Sequence, residues 1–170
     1  MSTPLLVLVG PPASGKTTVG TALARMLDVG FRDTDHDIEV QTGTSVADVF
    51  FQHGEEHFRA LERAAVAHAL STHEGVLALG GGAVLDEATR DQLVGRPVVF
   101  LRVGLSEAVK RVGLGVGRPL LLGNVRARIK ALLDERTPIY ESVARLVVDT
   151  DGRTPEDVAG EIRAALPEVE

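Results

Sequence analysis

Five short apolar runs punctuate the chain: Leu5–Val9, a weaker one at Phe31–Thr34, Val76–Leu79, Val98–Leu101 and Leu146–Val148. Each is nearly continuous rather than alternating, which suits a strand covered on both faces. Between them apolar residues recur at helical spacing, as in Val19, Ala22, Leu23, Met26 and Leu27. Strands alternating with helices predict an α/β fold: a three-layer, doubly wound parallel sheet with right-handed crossovers. Helix starts are legible at Ser106-Glu107 and at Thr154-Pro155-Glu156-Asp157, each a capping residue followed by acids. The second helix is expected to run to about Leu166. No repeat, low-complexity stretch or linker divides residues 1–170, so one domain is expected.

Ligands of such sheets bind beyond the C-terminal strand ends, which makes those ends the place to look for chemistry. The first carries Gly10-Pro11-Pro12-Ala13-Ser14-Gly15-Lys16-Thr17, a G-x-x-x-x-G-K-[ST] phosphate loop between strand and helix. Its backbone amides and the helix N-terminus face phosphate oxygens. Lys16 is expected at the β/γ-phosphates and the Thr17 hydroxyl on Mg²⁺. After the second strand comes Asp33-Thr34-Asp35. Continued strand geometry would point both carboxylates the same way, one towards a metal shell and one towards an acceptor hydroxyl. Asp37 and Glu39 read as an acidic helix start.

His53, Glu56 and His57 match a zinc-peptidase spacing, H-x-x-E-H. Gly54 argues against it, because it is expected to divide two helices and turn the histidines apart. Arg59 and Glu62 sit one helical turn apart, suited to a fixed guanidinium that grips a carboxylate, or equally to a solvated pair. Phe50 and Phe58 fit either a pocket or plain core. The third strand ends in Gly80-Gly81-Gly82, where a phosphate-loop enzyme usually carries an acid, and bare backbone there invites a ligand. Asp149 is a candidate substitute for that acid, but the last strand is expected at an edge.

Lys110 and Arg111 fall late in the helix starting at Ser106, which runs into the glycine-rich stretch Gly113–Leu121. Alternating glycines suggest a mobile lid over residues of about 112–125, with Pro119 holding Arg118 extended towards a transferring phosphoryl group. A solvated loop arginine is the alternative. Arg126, Arg128 and Lys130 read as a solvated helix face. Pro138 is expected to stop that helix near Arg136, leaving the arginine at an element end.

Composition narrows the field. A net charge of −6 disfavours a general nucleic-acid binder, which needs a basic face. No cysteine means no disulfide, zinc–thiolate site or thiol nucleophile, and fits a reducing cytoplasm. No apolar run approaches the roughly 18 residues of a membrane span, and no Lys or Arg precedes Leu5–Val9 as in a signal peptide.

In order along the chain, G-P-P-A-S-G-K-T, D-T-D, F-R-x-L-E at Phe58–Glu62, L-G-G-G-A at Leu79–Ala83, R-P-L-L at Arg118–Leu121 and R-x-P-x-Y at Arg136–Tyr140 resemble the shikimate kinase family. The resemblance implies transfer of the ATP γ-phosphate to the 3-hydroxyl of shikimate, with Mg²⁺, on the route to aromatic amino acids. It also implies a five-stranded sheet of order 2-3-1-4-5, the P-loop NTPase fold of nucleoside-monophosphate kinases, and usually a monomer. Carried over by position, Pro12, Ala13, Ser14, Gly15, Lys16, Thr17 and Thr18 would hold ATP, with Arg111 and Pro155 flanking adenine and Arg153 close by. Thr17 would serve the metal, with Asp33 in its outer shell. Asp35 would be the base, with Lys16 and the lid Arg118 on the phosphates. Arg59, Arg136 and the Gly80, Gly81 and Gly82 backbone would bind shikimate, within a pocket lined by Phe50 and Phe58, with Glu62 orienting Arg59. The substrate region would span about 35–62. Thr17 stands where Ser is common in the family, keeping the hydroxyl. A gluconate-type or nucleotide kinase, or a regulatory module without catalysis, are the rival readings.

Overall fold

The computed structural model describes residues 3–116 and 122–169 of the chain. The strands are β1 (Leu6–Val9), β2 (Phe31–Asp33), β3 (Val76–Ala78), β4 (Val98–Arg102) and β5 (Leu146–Asp149). All pair in parallel, in the order β2-β3-β1-β4-β5. The helices are α1 (Lys16–Leu27), α2 (Thr34–Thr42), α3 (Val46–Thr72), α4 (Glu87–Leu93), α5 (Leu105–Val116), α6 (Leu122–Val143) and α7 (Pro155–Val169), with a short 3-10 turn at Ala83–Leu85.

The continuous apolar runs make sense once the layers are in place. In β1, Leu6 and Leu8 join the core under α1 and α7, whereas Val7 and Val9 join the core under α3 and α6. Alternate residues face opposite sides of a strand, so a strand covered on both sides has no polar position to alternate with. A smaller cluster of Ile38, Val49, Phe58 and Ala65 ties α2 to α3 beside the main sheet.

Several elements depart from the sequence pattern. The helix expected to start at Ser106 begins at Leu105, so Ser106 is inside its first turn rather than capping it. Where the lid is expected, at about 112–125, the described residues are helical: α5 continues through Gly113 and Gly115 to Val116 and α6 begins at Leu122, while 117–121 lie outside the described residues. Isolated glycines weaken a helix by about 1 kcal/mol each without forbidding it. Pro138 does not end its helix; α6 passes through it to Val143. Beyond the proline, buried Tyr140 packs on Phe100, with Ile139 and Val143 against the same core. Tertiary packing of that turn offsets the hydrogen bond the proline cannot make. Thr154 does cap α7: its Oγ1 accepts the Asp157 amide at 3.1 Å, with Pro155 as first helical residue. That helix continues past Leu166 to Val169.

Candidate active site

The phosphate loop leaves β1 and turns directly into α1. Gly15, at φ 93°, is the N-cap and offers no side chain to the first amides of the helix. Ala13 is also left-handed, at φ 70°. Left-handed residues in such a loop bend its amides into a concave, anion-seeking surface. Lys16 Nζ crosses the concavity and donates to the carbonyls of Gly10 at 2.7 Å and Pro11 at 3.0 Å. Burial lowers its pKa to about 8, against the opposing pull of Asp33 and Asp35.

Asp33 and Asp35 converge by a different route from continued strand geometry. Asp33 ends β2 and becomes the N-cap of α2, so Asp35 already lies in the first helical turn. The Asp35 amide donates to Asp33 Oδ1 at 2.9 Å, and the Thr17 hydroxyl to Asp33 Oδ2 at 3.3 Å. Burial, reinforced by Asp33 and Glu62, pushes the Asp35 carboxyl up to about 6, with Lys16 opposing. Such a group gains and loses a proton near neutrality, as a general base requires. Asp37 instead pairs with Arg32 at 2.7 Å, and Glu39 accepts the Val46 amide at 3.0 Å.

The Arg59–Glu62 pair is not a solvated one. Glu62 is 3% exposed and accepts from Arg59 at 2.6 Å. The Phe50 and Phe58 rings lie 5.7 and 5.4 Å from the guanidinium carbon. Hydrogen bond and aromatic faces together leave Arg59 one orientation. Gly54 breaks α3 at φ 87°, as its position suggests, yet the histidines are not turned apart: the His53 and His57 rings sit 4.7 Å from each other. A bend changes the helix direction without separating side chains that close in sequence. Among the described residues no cluster of three His or acidic ligands could hold a metal on its own.

The glycine turn after β3 closes the site. Gly80 N–H donates to the buried Thr34 hydroxyl at 3.1 Å. A β-carbon on Gly82 would stand 2.5 Å from Arg59 Nη1, and one on Gly81 would stand 2.9 Å from the Pro12 ring. Gly81 lines one cleft together with Lys16, Thr17, Asp33 and Asp35. Arg136, mid-helix on α6 rather than at its end, acts by charge on Lys16, Glu62 and Tyr140. Thr34 and Tyr140, which touch the turn directly, drew no role from the sequence, although each lies inside a short motif.

A second cleft, across the loop from the acids, is lined by Gly15, Thr18, Arg111, Thr150, Arg153 and Pro155. Arg111 donates to the Ala13 carbonyl at 2.8 Å and to Thr150, joining the phosphate loop to the end of β5. Arg153 donates to the carbonyls of Asp149 and Asp157. Asp149 is taken up by Arg102 in a two-pronged pair on the edge strand, away from the acids. Arg118 lies outside the described residues.

A phosphate cradle, two neighbouring acids and fixed guanidinium groups on the rim of this sheet define a phosphate-loop kinase whose acceptor is a small hydroxylated anion. A family model described as shikimate kinase matches residues 12–167, and the chain belongs to the shikimate kinase family. It is 62% identical over 164 residues to a shikimate kinase of Salinispora tropica, a match covering 96% of this chain and 98% of that protein. Against a shikimate kinase of Thermobifida fusca the figures are 58% over 166 residues, 98% and 96%. The solved structure of an Acinetobacter baumannii shikimate kinase in complex with shikimate superposes at a TM-score of 0.88 with 34% identity, covering 99% of this chain and 94% of that one.

Proposed function

We propose that the rim of the sheet transfers the γ-phosphoryl group of ATP to the 3-hydroxyl of shikimate, with Asp35 as the base. As a member of its family the chain is an ATP:shikimate 3-phosphotransferase; the residue roles are the proposal. The observation that carries them is the placement of one up-shifted carboxylate between a phosphate cradle and a half-buried, oriented guanidinium. A gluconate-type acceptor lacks the cyclic acid of shikimate, and a nucleotide acceptor needs a base-binding groove rather than paired arginines.

Pro12 to Thr18 hold the triphosphate of ATP, with Arg111 and Pro155 beside the adenine and Arg153 near the nucleotide. Arg59 and Arg136 take the carboxylate of shikimate, which presents its hydroxyls to Asp35 and the Gly80–Gly82 backbone. Asp35 accepts the proton of the 3-hydroxyl as its oxygen bonds to the γ-phosphorus and the bond to the β–γ bridging oxygen breaks. Lys16 and Arg118 offset the charge on the transferring group.

The donor set suits a hard cation: a threonine hydroxyl and a carboxylate 3.3 Å apart, with phosphates and water left to complete the shell. Thr17 would hold Mg²⁺ with Asp33 in its outer shell, and the ion supplies charge neutralisation across the phosphates. No described helix is long and apolar enough to cross a membrane. The family resemblance and the lack of cysteine support a monomer in the cytoplasm, which light scattering at working concentration tests for the monomer.

A coupled ADP-release assay with Mg²⁺-ATP against shikimate, quinate, gluconate and nucleoside monophosphates tests the reading. Turnover with shikimate alone is expected. Faster turnover with gluconate or a nucleotide overturns it.

A further inference from the structure

We propose that Tyr140 is a positioning residue for the acceptor, fixing the glycine turn relative to α6 through its hydroxyl. The inference rests on the assignment of Arg136 and the Gly80–Gly82 backbone to shikimate. Tyr140 is the largest of the fully buried side chains, and its hydroxyl donates to the Gly81 carbonyl at 2.5 Å. Burial raises the pKa of the phenol, so it remains a donor throughout the working range. A planar trans peptide carries its C=O and N–H on opposite edges. Holding the Gly81 carbonyl therefore also sets the direction of the Gly82 N–H. No peptide among the described residues is cis.

The other bonds of the turn are made to α2 or within its own 3-10 turn. Gly80 N–H donates to Thr34, and the Gly80 and Gly82 carbonyls accept from the Ala83 and Leu85 amides, so Tyr140 is the turn's tie to α6. Its glycines lack the side chains that would anchor it, and β-carbons are excluded by Asp35, Pro12 and Arg59. Close approach to the site thus requires residues that are conformationally free. Tyr140 is the clamp that offsets this freedom. Its ring is in turn fixed against Phe100 of β4, with centroids 5.0 Å apart. The guanidinium of Arg136, one turn earlier on the same helix, acts on the same phenol by charge and hydrogen bonding. A single hydroxyl therefore links the backbone and the arginine that grip the acceptor, without contacting it.

The test is Tyr140→Phe, which keeps the ring and removes the link. Shikimate KM is expected to rise about tenfold, with the Kd of ATP, measured by calorimetry without shikimate, unchanged. Phe100→Leu is the packing control: it should lower Tm while leaving shikimate KM within about twofold. In an Arg136→Ala background the effect of Tyr140→Phe on KM should shrink, since the two act on one ligand. An unchanged KM for Tyr140→Phe, or an equal rise for Phe100→Leu, overturns the proposal. Fully additive effects with Arg136→Ala also overturn it. If Arg136→Ala itself leaves shikimate KM untouched, the underlying assignment of the acceptor site fails instead. Loss of soluble Tyr140→Phe protein would show that the hydroxyl is needed for folding, and would overturn a role confined to positioning.

Discussion

Gly80 and Asp35 share one small volume: a β-carbon on Gly80 would stand 2.5 Å from Asp35 Oδ1 and 3.0 Å from Glu62 Oε2. The glycine is therefore the reason the proposed base can sit where it does. Gly80→Ala must push the Asp35 carboxylate away from the acceptor hydroxyl, and displacement by about 1 Å costs on the order of 10²-fold in rate. A fall in kcat of that size is expected, with ATP affinity kept because the phosphate loop is untouched. Activity within threefold of the parent would show that Asp35 has room to spare.

The two perturbed groups set the pH profile. Asp35 titrates at about 6 and must be ionised to accept a proton, so kcat/KM should rise through that pH. Lys16 titrates at about 8 and must be protonated to neutralise phosphate charge, so activity should fall above it. The expected curve is a bell with its top near 7. Asp35→Asn would abolish turnover throughout, and a surviving acid limb near 6 in any active Asp35 variant would assign that limb elsewhere.

The same shift bears on stability. The Asp35 pKa is raised from 3.8 to about 6, so the folded chain binds more protons than the unfolded one between those values, and stability falls as pH rises through them. Above about pH 6 the ionised carboxylate is a standing cost. Two pKa units correspond to about 3 kcal/mol, reduced to on the order of 2 kcal/mol because the group is partly solvated. Asp35→Asn should therefore raise Tm at pH 7.5 by about 5 °C while removing activity. The gain should vanish near pH 4, where the parent carboxyl is protonated. A lower Tm at pH 7.5 would mean that the carboxylate is stabilised by its surroundings.

Sequence order made the sheet and the phosphate loop legible because both rest on local signals: apolar runs for two-faced strands, and glycines ahead of a helix. The glycine turn was visible as an anomaly, but not its clamp. Tyr140 meets Gly81 across 59 residues, and spacing within a helix says nothing about such a contact. Local signals misled where tertiary packing outweighs them. Pro138 reads as a stop, yet the turn behind it is buried against Phe100 and the helix continues. Arg59–Glu62 reads as an ordinary surface pair until its burial is seen. Asp33 and Asp35 were found, but strand alternation was the wrong reason, since a helix cap brings them together.

Ala13 carries a strain that the loop tolerates. At φ 70° it is one of two non-glycine residues with positive φ among the described residues, the other being Asp28 at the end of α1. An L-residue there costs roughly 1–2 kcal/mol, while glycine would add about 0.5–1 kcal/mol of unfolded-state freedom. Ala13→Gly should stabilise the protein by a net ~0.5–1 kcal/mol, read as a small rise in denaturation midpoint at constant slope. Its carbonyl would still accept from Arg111, so ATP affinity should hold. Destabilisation would indicate that the alanine methyl is packed to advantage.

Asp33 offers a test of the metal assignment that is separate from the chemistry at Asp35. Its two oxygens serve two partners, the Asp35 amide and the Thr17 hydroxyl. Asp33→Asn keeps a capping side chain for α2, since asparagine caps as well as aspartate, but removes the charge beside Thr17. Outer-shell carboxylates tune metal affinity by about 10–100-fold. The Mg²⁺ concentration giving half-maximal rate should therefore rise about tenfold or more, with shikimate KM and Tm close to those of the parent. An unchanged metal titration would remove Asp33 from the metal shell and leave it a helix cap alone, while a raised shikimate KM would place it on the acceptor instead.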